Sequence, residues 1–104
     1  MISMQIADIV RGCKAARVAA ELDYFINGHG WKQVGQGVSN DSGRIGTFGE
    51  PPAAGIYRLS LDVAAYAPES FFPSIEAVFE VRDASEDCEL NVQLSTCGYS
   101  VSRS

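Results

Sequence analysis

The segment CELNVQL, residues 88–94, alternates apolar and polar side chains at every position. Successive side chains of a β-strand point to opposite faces, so this alternation predicts a strand with one buried face and one polar face. The polar face carries Glu89, Asn91 and Gln93. Such a face is typical of a solvent-exposed side, but beside Ser100 and Ser102 of the last segment it could instead line a groove or channel.

The same two-residue period extends across most of the chain. It predicts strands over residues 1–6, 17–25, 31–38, 44–48, 56–63, 74–82, 88–94 and 98–103. A loop is predicted from Gly49 to Gly55, and one or two helical turns between Asp62 and Ser70. Short strands separated by turn formers are typical of two-sheet sandwiches. We therefore expect an all-β fold, an eight-stranded antiparallel β-sandwich with one short helix, as a single domain over residues 1–104.

The charge balance restricts the classes of partner. The chain has 104 residues, of which 8 are basic and 13 acidic, and a formal net charge of −5. It therefore lacks the basic surface that binds nucleic acid. No apolar run approaches about 20 residues, the length of a membrane span, and the N-terminal residues show no secretory signal pattern. A small-molecule substrate or ligand is the expected partner, with no nucleic acid and no membrane.

The cysteines bear on the compartment and on metal binding. There are three, Cys13, Cys88 and Cys97, together with one histidine. An odd number of cysteines without a CxxC pair fits neither a disulfide framework nor a zinc site. We expect free thiols in a reducing, cytoplasmic compartment, with no metal and no other cofactor. Small domains commonly gain support from oligomerisation, so self-association is also expected.

A series of short stretches shares its order and spacing with one known family. The stretches are Asp8-Ile9-Val10-Arg11-Gly12, Gly30-Trp31, Ser39-Asn40-Asp41-Ser42-Gly43-Arg44, Gly55-Ile56-Tyr57-Arg58-Leu59, Asp62-Val63-Ala64-Ala65-Tyr66, Phe71-Phe72-Pro73, Leu94-Ser95 and Gly98-Tyr99-Ser100. Together they resemble the transthyretin and 5-hydroxyisourate hydrolase family over nearly the whole chain. The resemblance implies a homotetramer, built as a dimer of dimers, with a channel between the dimers.

The resemblance also implies where a site would lie. The hydrolases of this family open the strained ring of 5-hydroxyisourate, the product of urate oxidation, with two histidines, one arginine and a C-terminal Tyr-Arg-Gly-Ser in the channel. Transthyretin lacks this set and binds small hydrophobic hormones there. The first histidine falls on Gln5, the arginine on Arg44 and the second histidine on Glu89.

The C-terminal tetrapeptide falls on residues 101–104 of this chain. Its arginine is kept as Arg103, its tyrosine position holds Ser102, and one residue of the pattern is missing. Either the glycine is deleted and Ser104 is the terminal serine, or the pattern stops one residue short. The only histidine of the chain, His29, lies in a predicted surface turn. The chain thus resembles a hydroxyisourate hydrolase in which both histidines are replaced.

The replacements limit the chemistry. Glutamine takes no proton, so Gln5 can only orient a substrate or water through its amide. Glu89 can act as general base if burial disfavours its charged form, whereas a nearby Arg44 favours the carboxylate and would reduce its basicity. A simple Arg44–Glu89 salt bridge is the competing interpretation. Ser102 would widen the site, and Asn91 and Gln93 would add hydrogen-bonding groups.

Three functions remain open on these residues. The first is an enzyme acting on a small ring other than hydroxyisourate, by ring-opening hydrolysis or a related cyclisation or isomerisation. Glu89 would then be the acid/base, Gln5 an orienting amide, and Arg44 and Arg103 the anchors, with Ser102, Ser104, Asn91 and Gln93 contacting the substrate. The alternatives are a hydroxyisourate hydrolase with weak or altered activity and a non-catalytic tetramer that binds a small ligand.

Overall fold

The computed structural model describes residues 1–48 and 53–103 of the chain. Its elements are β1 (Ile2–Asp8), β2 (Cys13–Lys14), β3 (Ala19–Ile26), β4 (Gly30–Val38), β5 (Arg44–Ile45), β6 (Gly55–Asp62), α1 (Val63–Tyr66), β7 (Ser74–Val81), β8 (Cys88–Leu94) and β9 (Tyr99–Arg103). The predicted all-β fold with one short helix is confirmed. The first part of the loop predicted from Gly49, residues 49–52, lies outside the described residues.

The strands form two sheets. Sheet I has the order β2-β1-β8-β9, with β5 also paired to β1, and sheet II has the order β4-β3-β6-β7. Most pairs are antiparallel, but β1 and β8 run parallel, with Gln5 opposite Asn91. Residues 9–87 lie between these two strands, so no hairpin forces them to pair antiparallel.

The core lies between the sheets and is built by the alternating positions that the sequence predicts. In β1 and β8 every second residue is buried, from Ile2 to Asp8 and from Cys88 to Leu94. Sheet II contributes the buried Leu22, Tyr57, Leu59 and Leu61. Because burial follows the two-residue period, the intervening residues of sheet I face outward.

Two differences from the predicted strands affect the edge of sheet I. The two-residue strand β2 was not predicted, because two residues are too few to show a period. The strand predicted over 44–48 ends at Ile45. Phe48 turns into the core, and its amide donates to the Ile2 carbonyl at 3.0 Å.

The helix is short because its ends are fixed by local contacts. Asp62 caps α1 by accepting a hydrogen bond from the Ala65 amide, and the Ala67 amide donates to the Val63 carbonyl. Buried Val63 attaches the helix to the core. The helix therefore brings Tyr66 to the end of β1, where it contacts Asp8.

Candidate functional site

The outward side of sheet I carries a continuous set of side chains that are polar except for Ala7, and we call it the polar face. Some members are the outward-facing residues of β1 and β8, which alternate with the buried ones. The others are their direct cross-strand partners in β2, β5 and β9. They are Ser3, Gln5, Ala7, Lys14, Arg44, Glu89, Asn91, Gln93, Ser100 and Ser102.

Cross-strand register arranges this face in rows. The middle row, which we call the Gln5 row, runs across four strands as Arg44, Gln5, Asn91 and Ser102. Directly opposed residues project from the same side of a sheet, so these side chains line up beside one another. Residues that are 86 positions apart in the chain therefore form one linear array, from Gln5 to Asn91.

One ion pair crosses the face. Arg44 Nη1 donates a hydrogen bond to Oε1 of Glu89. Since β5 and β8 flank β1 on opposite sides, the guanidinium reaches over β1 to the carboxylate. The side chains keep 41% and 32% of their exposure, so solvent reaches both groups. The pair brings together two of the three residues that the sequence predicts as catalytic, and Gln5 adjoins Arg44 in register.

The turn before β5 holds Arg44 in place. The Asn40 side-chain oxygen accepts hydrogen bonds from the amides of Ser42 at 2.9 Å and Arg44 at 3.0 Å. Gly43 adopts a positive φ of 72°, and its carbonyl accepts from the Ile6 amide at 2.7 Å. Asn and Gly suit these roles because Asn closes turns on its own backbone and Gly tolerates positive φ. Arg44 therefore enters the polar face from a fixed backbone.

The remaining predicted site residues are divided. Asn91 is half-buried in the Gln5 row, whereas Ser102 and Gln93 are exposed on the same face. Arg103 is not brought to this group: it lies opposite Leu90, so its position belongs to the inner side of the sheet. Its Nη2 is 3.5 Å from Oε2 of Glu86 at the end of the sandwich. Ser104 lies outside the described residues.

The other reactive side chains lie away from the Gln5 row. His29 is exposed in the turn between β3 and β4, on sheet II, as the sequence predicts. Cys13, Cys88 and Cys97 are free, and Cys88 is buried in the core. Within residues 1–48 and 53–103, no cluster of His, Cys, Asp or Glu could hold a metal ion. In the same part of the chain, no helix is long and apolar enough to span a membrane.

One charged member of the polar face, Lys14, does not follow from the sequence pattern. Lys14 lies opposite Ala7, and the same row continues through Gln93 to Ser100. We call this the Ala7 row. No local pattern could have shown it, because β2 has two residues and its pairing with β1 is fixed by tertiary contacts.

A second polar network closes the end of β1, beside the polar face. Buried Asp8 accepts hydrogen bonds from the Tyr66 hydroxyl at 2.8 Å and from the amides of Val10 and Arg11 at 3.0 Å. Burial would raise the pKa of Asp8, but these hydrogen bonds and the Arg11 charge outweigh burial, so its pKa lies below the ordinary value. Burial and the Asp8 carboxylate together raise the pKa of Tyr66. These contacts hold the end of β1 against α1.

The comparisons with known proteins agree with this geometry. The family model described as HIUase/Transthyretin family matches residues 2–104. The chain belongs to this family. Among solved structures, sea bream transthyretin in complex with thyroxine superposes with a TM-score of 0.92 at 26% identity, covering 99% of this chain and 93% of that one. The family resemblance seen in the sequence is thus confirmed.

Two curated relatives of the family carry functional names. The chain is 32% identical over 114 residues to the "Uric acid degradation bifunctional protein TTL" of Arabidopsis thaliana, covering 97% of this chain and 35% of that protein. It is 32% identical over 108 residues to the "Probable 5-hydroxyisourate hydrolase R09H10.3" of Caenorhabditis elegans, covering 98% of this chain and 79% of that protein. The chain thus spans about a third of the plant protein and most of the nematode one.

Proposed function

We propose that this protein is a hydrolase that opens the ring of 5-hydroxyisourate on the polar face. The observation that carries the proposal is the Arg44–Glu89 ion pair beside the amides of the Gln5 row. A carboxylate, a cation and two side-chain amides are thereby brought together on one face. The names of the two curated relatives support this substrate. They favour it over the expectation of a different ring, for which neither relative gives support.

The residues have separate roles in the proposed reaction. The Glu89 carboxylate takes a proton from water as the water oxygen forms a bond to a ring carbonyl carbon. Arg44 stabilises the negative charge that develops on the carbonyl oxygen. The ring carbon–nitrogen bond then breaks, and the proton held by Glu89 passes to the departing nitrogen. The amides of Gln5 and Asn91 orient the ring by hydrogen bonds.

The replacement of a histidine base by the Arg44-paired Glu89 predicts a low turnover rate. A carboxylate is in general a weaker base than imidazole, and the Arg44 guanidinium occupies Oε1 of Glu89. Turnover is therefore expected to be slower than that of a histidine-dependent hydrolase of the same family. This follows from the residues present at positions 5 and 89, which are glutamine and glutamate.

The same ion pair favours a second candidate, a binding protein without turnover. With Glu89 engaged by Arg44, the face becomes a set of hydrogen-bonding groups around a neutralised charge pair. The neighbour solved with thyroxine shows that a chain of this fold can hold a small molecule. In this case the Gln5 row would bind a polar ring and leave it unchanged.

One experiment separates the two candidates. Urate oxidase generates 5-hydroxyisourate in the cuvette, and its decay is followed by absorbance with and without the protein. The hydrolase proposal expects acceleration that falls at least about tenfold in Glu89→Gln and Arg44→Ala. Glu76→Gln and Arg82→Ala, exposed residues of and after β7 on sheet II, serve as matched controls with full activity. Wild-type protein that folds and leaves the decay unchanged would overturn the hydrolase.

The oligomeric state and the cellular compartment expected from the sequence are also part of this proposal. We infer a homotetramer, because the polar face lies open in the isolated chain and a second sheet across it would form the channel. The free thiols of Cys13, Cys88 and Cys97 support a reducing, cytoplasmic compartment. Light scattering coupled to size exclusion tests the assembly, and a monomer at micromolar concentration would contradict it.

A further inference from the structure

Lys14 is a charged side chain of the polar face that neither the sequence motifs nor the proposed reaction uses. It lies directly opposite Ala7 in the antiparallel pairing of β1 with β2. Ala7 is outward-facing, between the buried Ile6 and Asp8. Directly opposed residues share a side of the sheet, so Lys14 projects onto the same face as Gln5 and Asn91.

The backbone that carries Lys14 is anchored on both sides. Cys13 pairs with Asp8, and the next residue, Ala15, is fully buried. The Ala15 amide donates to the Ile6 carbonyl at 3.0 Å, and its carbonyl accepts from the buried Ser39 hydroxyl at 2.7 Å. An exposed lysine on a fixed backbone is a positioned charge, since only its flexible stem remains to be ordered.

Lys14 also adjoins the turn that delivers Arg44. A Cβ built on Gly43 would come within 3.0 Å of the Lys14 Cβ. Lys14 and Arg44 therefore stand next to each other along one edge of β1, where β2 and β5 pair with its successive residues. The edge of the polar face thus carries two cations.

The two cations differ in their partners. The Arg44 guanidinium is bound by Glu89. No residue within 1–48 or 53–103 forms a salt bridge or a hydrogen bond with the Lys14 ammonium, and its row partners Gln93 and Ser100 are neutral. The Ala7 row therefore presents a positive charge that the described chain does not compensate.

The spacing of the rows indicates that the Lys14 charge binds a ligand and takes no part in the reaction at Glu89. Glu89 lies opposite Ser3, two rows from Lys14, and adjacent rows are about 6.6 Å apart along a strand. The strands β2 and β8 also lie on opposite sides of β1, each about 4.8 Å from it. A lysine stem spans part of this separation, and a bicyclic ring spans the rest. Lys14 thus meets the end of a bound ring opposite to the carbon attacked from the Glu89 side.

We propose that Lys14 is the anion-binding residue of this site and selects ring substrates that carry a negative charge. The ammonium binds the delocalised charge of a deprotonated ring, and Gln93 and Ser100 donate hydrogen bonds beside it. This inference rests on the proposed site and deepens it. It concerns binding affinity, because an interaction equal in ground and transition states changes KM and leaves kcat unchanged.

Urate, an anionic ring at neutral pH, tests the proposal without turnover. Isothermal titration calorimetry of wild-type protein, Lys14→Gln, Lys14→Arg and Lys32→Gln compares affinities. Lys32 is the other lysine of the chain and is exposed on sheet II, so it is a matched control. We expect Lys14→Gln to weaken urate binding about fivefold, as for a partly exposed ion pair. Lys14→Arg and Lys32→Gln should keep the wild-type affinity, and added salt should remove the difference.

The turnover assay gives the second measurement. In Lys14→Gln the KM for 5-hydroxyisourate should rise by the same factor with kcat unchanged. Equal urate affinity in wild type and Lys14→Gln, or a wild type that does not bind urate, overturns the role of Lys14. A wild type that binds urate through Lys14 and leaves 5-hydroxyisourate intact supports the anion site and overturns the hydrolase. The two proposals can therefore fail separately.

Discussion

The Tyr66 hydroxyl donates a 2.8 Å hydrogen bond to Oδ2 of Asp8, joining the helix to the end of β1 across 58 residues. Asp8 is 6% exposed, so its carboxylate depends on protein groups in place of water. The Arg11 guanidinium lies over the Tyr66 ring at 5.2 Å and 3.8 Å from the same Asp8 oxygen. This network fixes the end of the strand that carries Gln5 and Ala7.

Removing the Tyr66 hydroxyl should lower stability in a pH-dependent way. The folded-state pKa of Asp8 lies below the ordinary value of 3.8, so its stabilisation is fully present above that pH and is lost as pH falls through the folded-state value. We expect Tyr66→Phe to cost about 1–3 kcal/mol at pH 7. The cost should shrink below pH 3.8.

Urea unfolding of both proteins across pH measures this cost. Tyr24→Phe is the control, because its hydroxyl donates to the neutral Ala54 carbonyl at 3.1 Å. The free-energy cost of Tyr24→Phe should be smaller than that of Tyr66→Phe and should not change at acid pH. A cost for Tyr66→Phe that stays constant down to pH 2 would argue against the carboxylate as the group stabilised.

Substitution of Gly43 by any residue with a side chain should lower stability and should also disturb the polar face. Gly43 has a φ of 72°, and a Cβ there would approach the Ile6 carbonyl oxygen to 2.4 Å. Gly28 has a φ of 82° and an open surrounding. Gly28→Ala should therefore cost about 1–2 kcal/mol from backbone strain alone.

Gly43→Ala should cost more than Gly28→Ala and should also displace Arg44. Thermal unfolding gives the stability difference, and the decay of 5-hydroxyisourate gives the effect on the site. Equal stability losses in the two variants would show that the close approach to Ile6 is relieved at no cost. In that case the turn would not hold Arg44 as rigidly as described.

Ser39 should be intolerant of alanine although it is small and lies on no catalytic surface. It is 2% exposed, and its hydroxyl accepts from the Val18 amide at 2.9 Å while donating to the Ala15 carbonyl at 2.7 Å. Alanine would leave both buried groups unpaired, at a cost of about 1–3 kcal/mol. Hydrogen exchange of the Val18 amide should also accelerate. Ser85→Ala, in an exposed turn, should change neither measurement.

Arg58 should matter for stability and leave the site unaffected. Its Nε and Nη2 donate to Asp23 Oδ2 at 3.2 and 2.9 Å, and the guanidinium lies 4.6 Å from the Trp31 ring centroid. Arg58→Ala leaves the buried Asp23 carboxylate without this partner, so we expect a loss of about 1–3 kcal/mol. Arg82→Ala removes an exposed pair with Glu80 and should change stability by less than about 0.5 kcal/mol.

The Arg58→Ala variant also tests whether the site on sheet I is independent of sheet II. Its turnover and urate affinity should equal those of the wild type, because Arg58 lies on sheet II. Activity is measured at a temperature where denaturant titration shows the variant folded. A selective loss of turnover in folded Arg58→Ala would place the site elsewhere than on the polar face.

The strands and their inward faces were predictable because burial repeats every two residues and is therefore local information. The segment 88–94 is a strand with the predicted alternation at every position. Arg44, Glu89, Gln5 and Asn91 were predicted as site residues and lie near one another. The two-residue strand β2 was beyond this reasoning, since a period cannot be read from two residues.

The alternation in the chain thus established a sandwich with an outward polar face. The family resemblance, and not the alternation, drew attention to Gln5 and Glu89. Cross-strand register established the site itself. Parallel pairing of β1 with β8 aligns Gln5 with Asn91, the β1–β2 pairing adds Lys14, and the β8–β9 register directs Arg103 to the inner side. Register joins residues far apart in sequence and depends on how the two sheets pack, so no local pattern contains it.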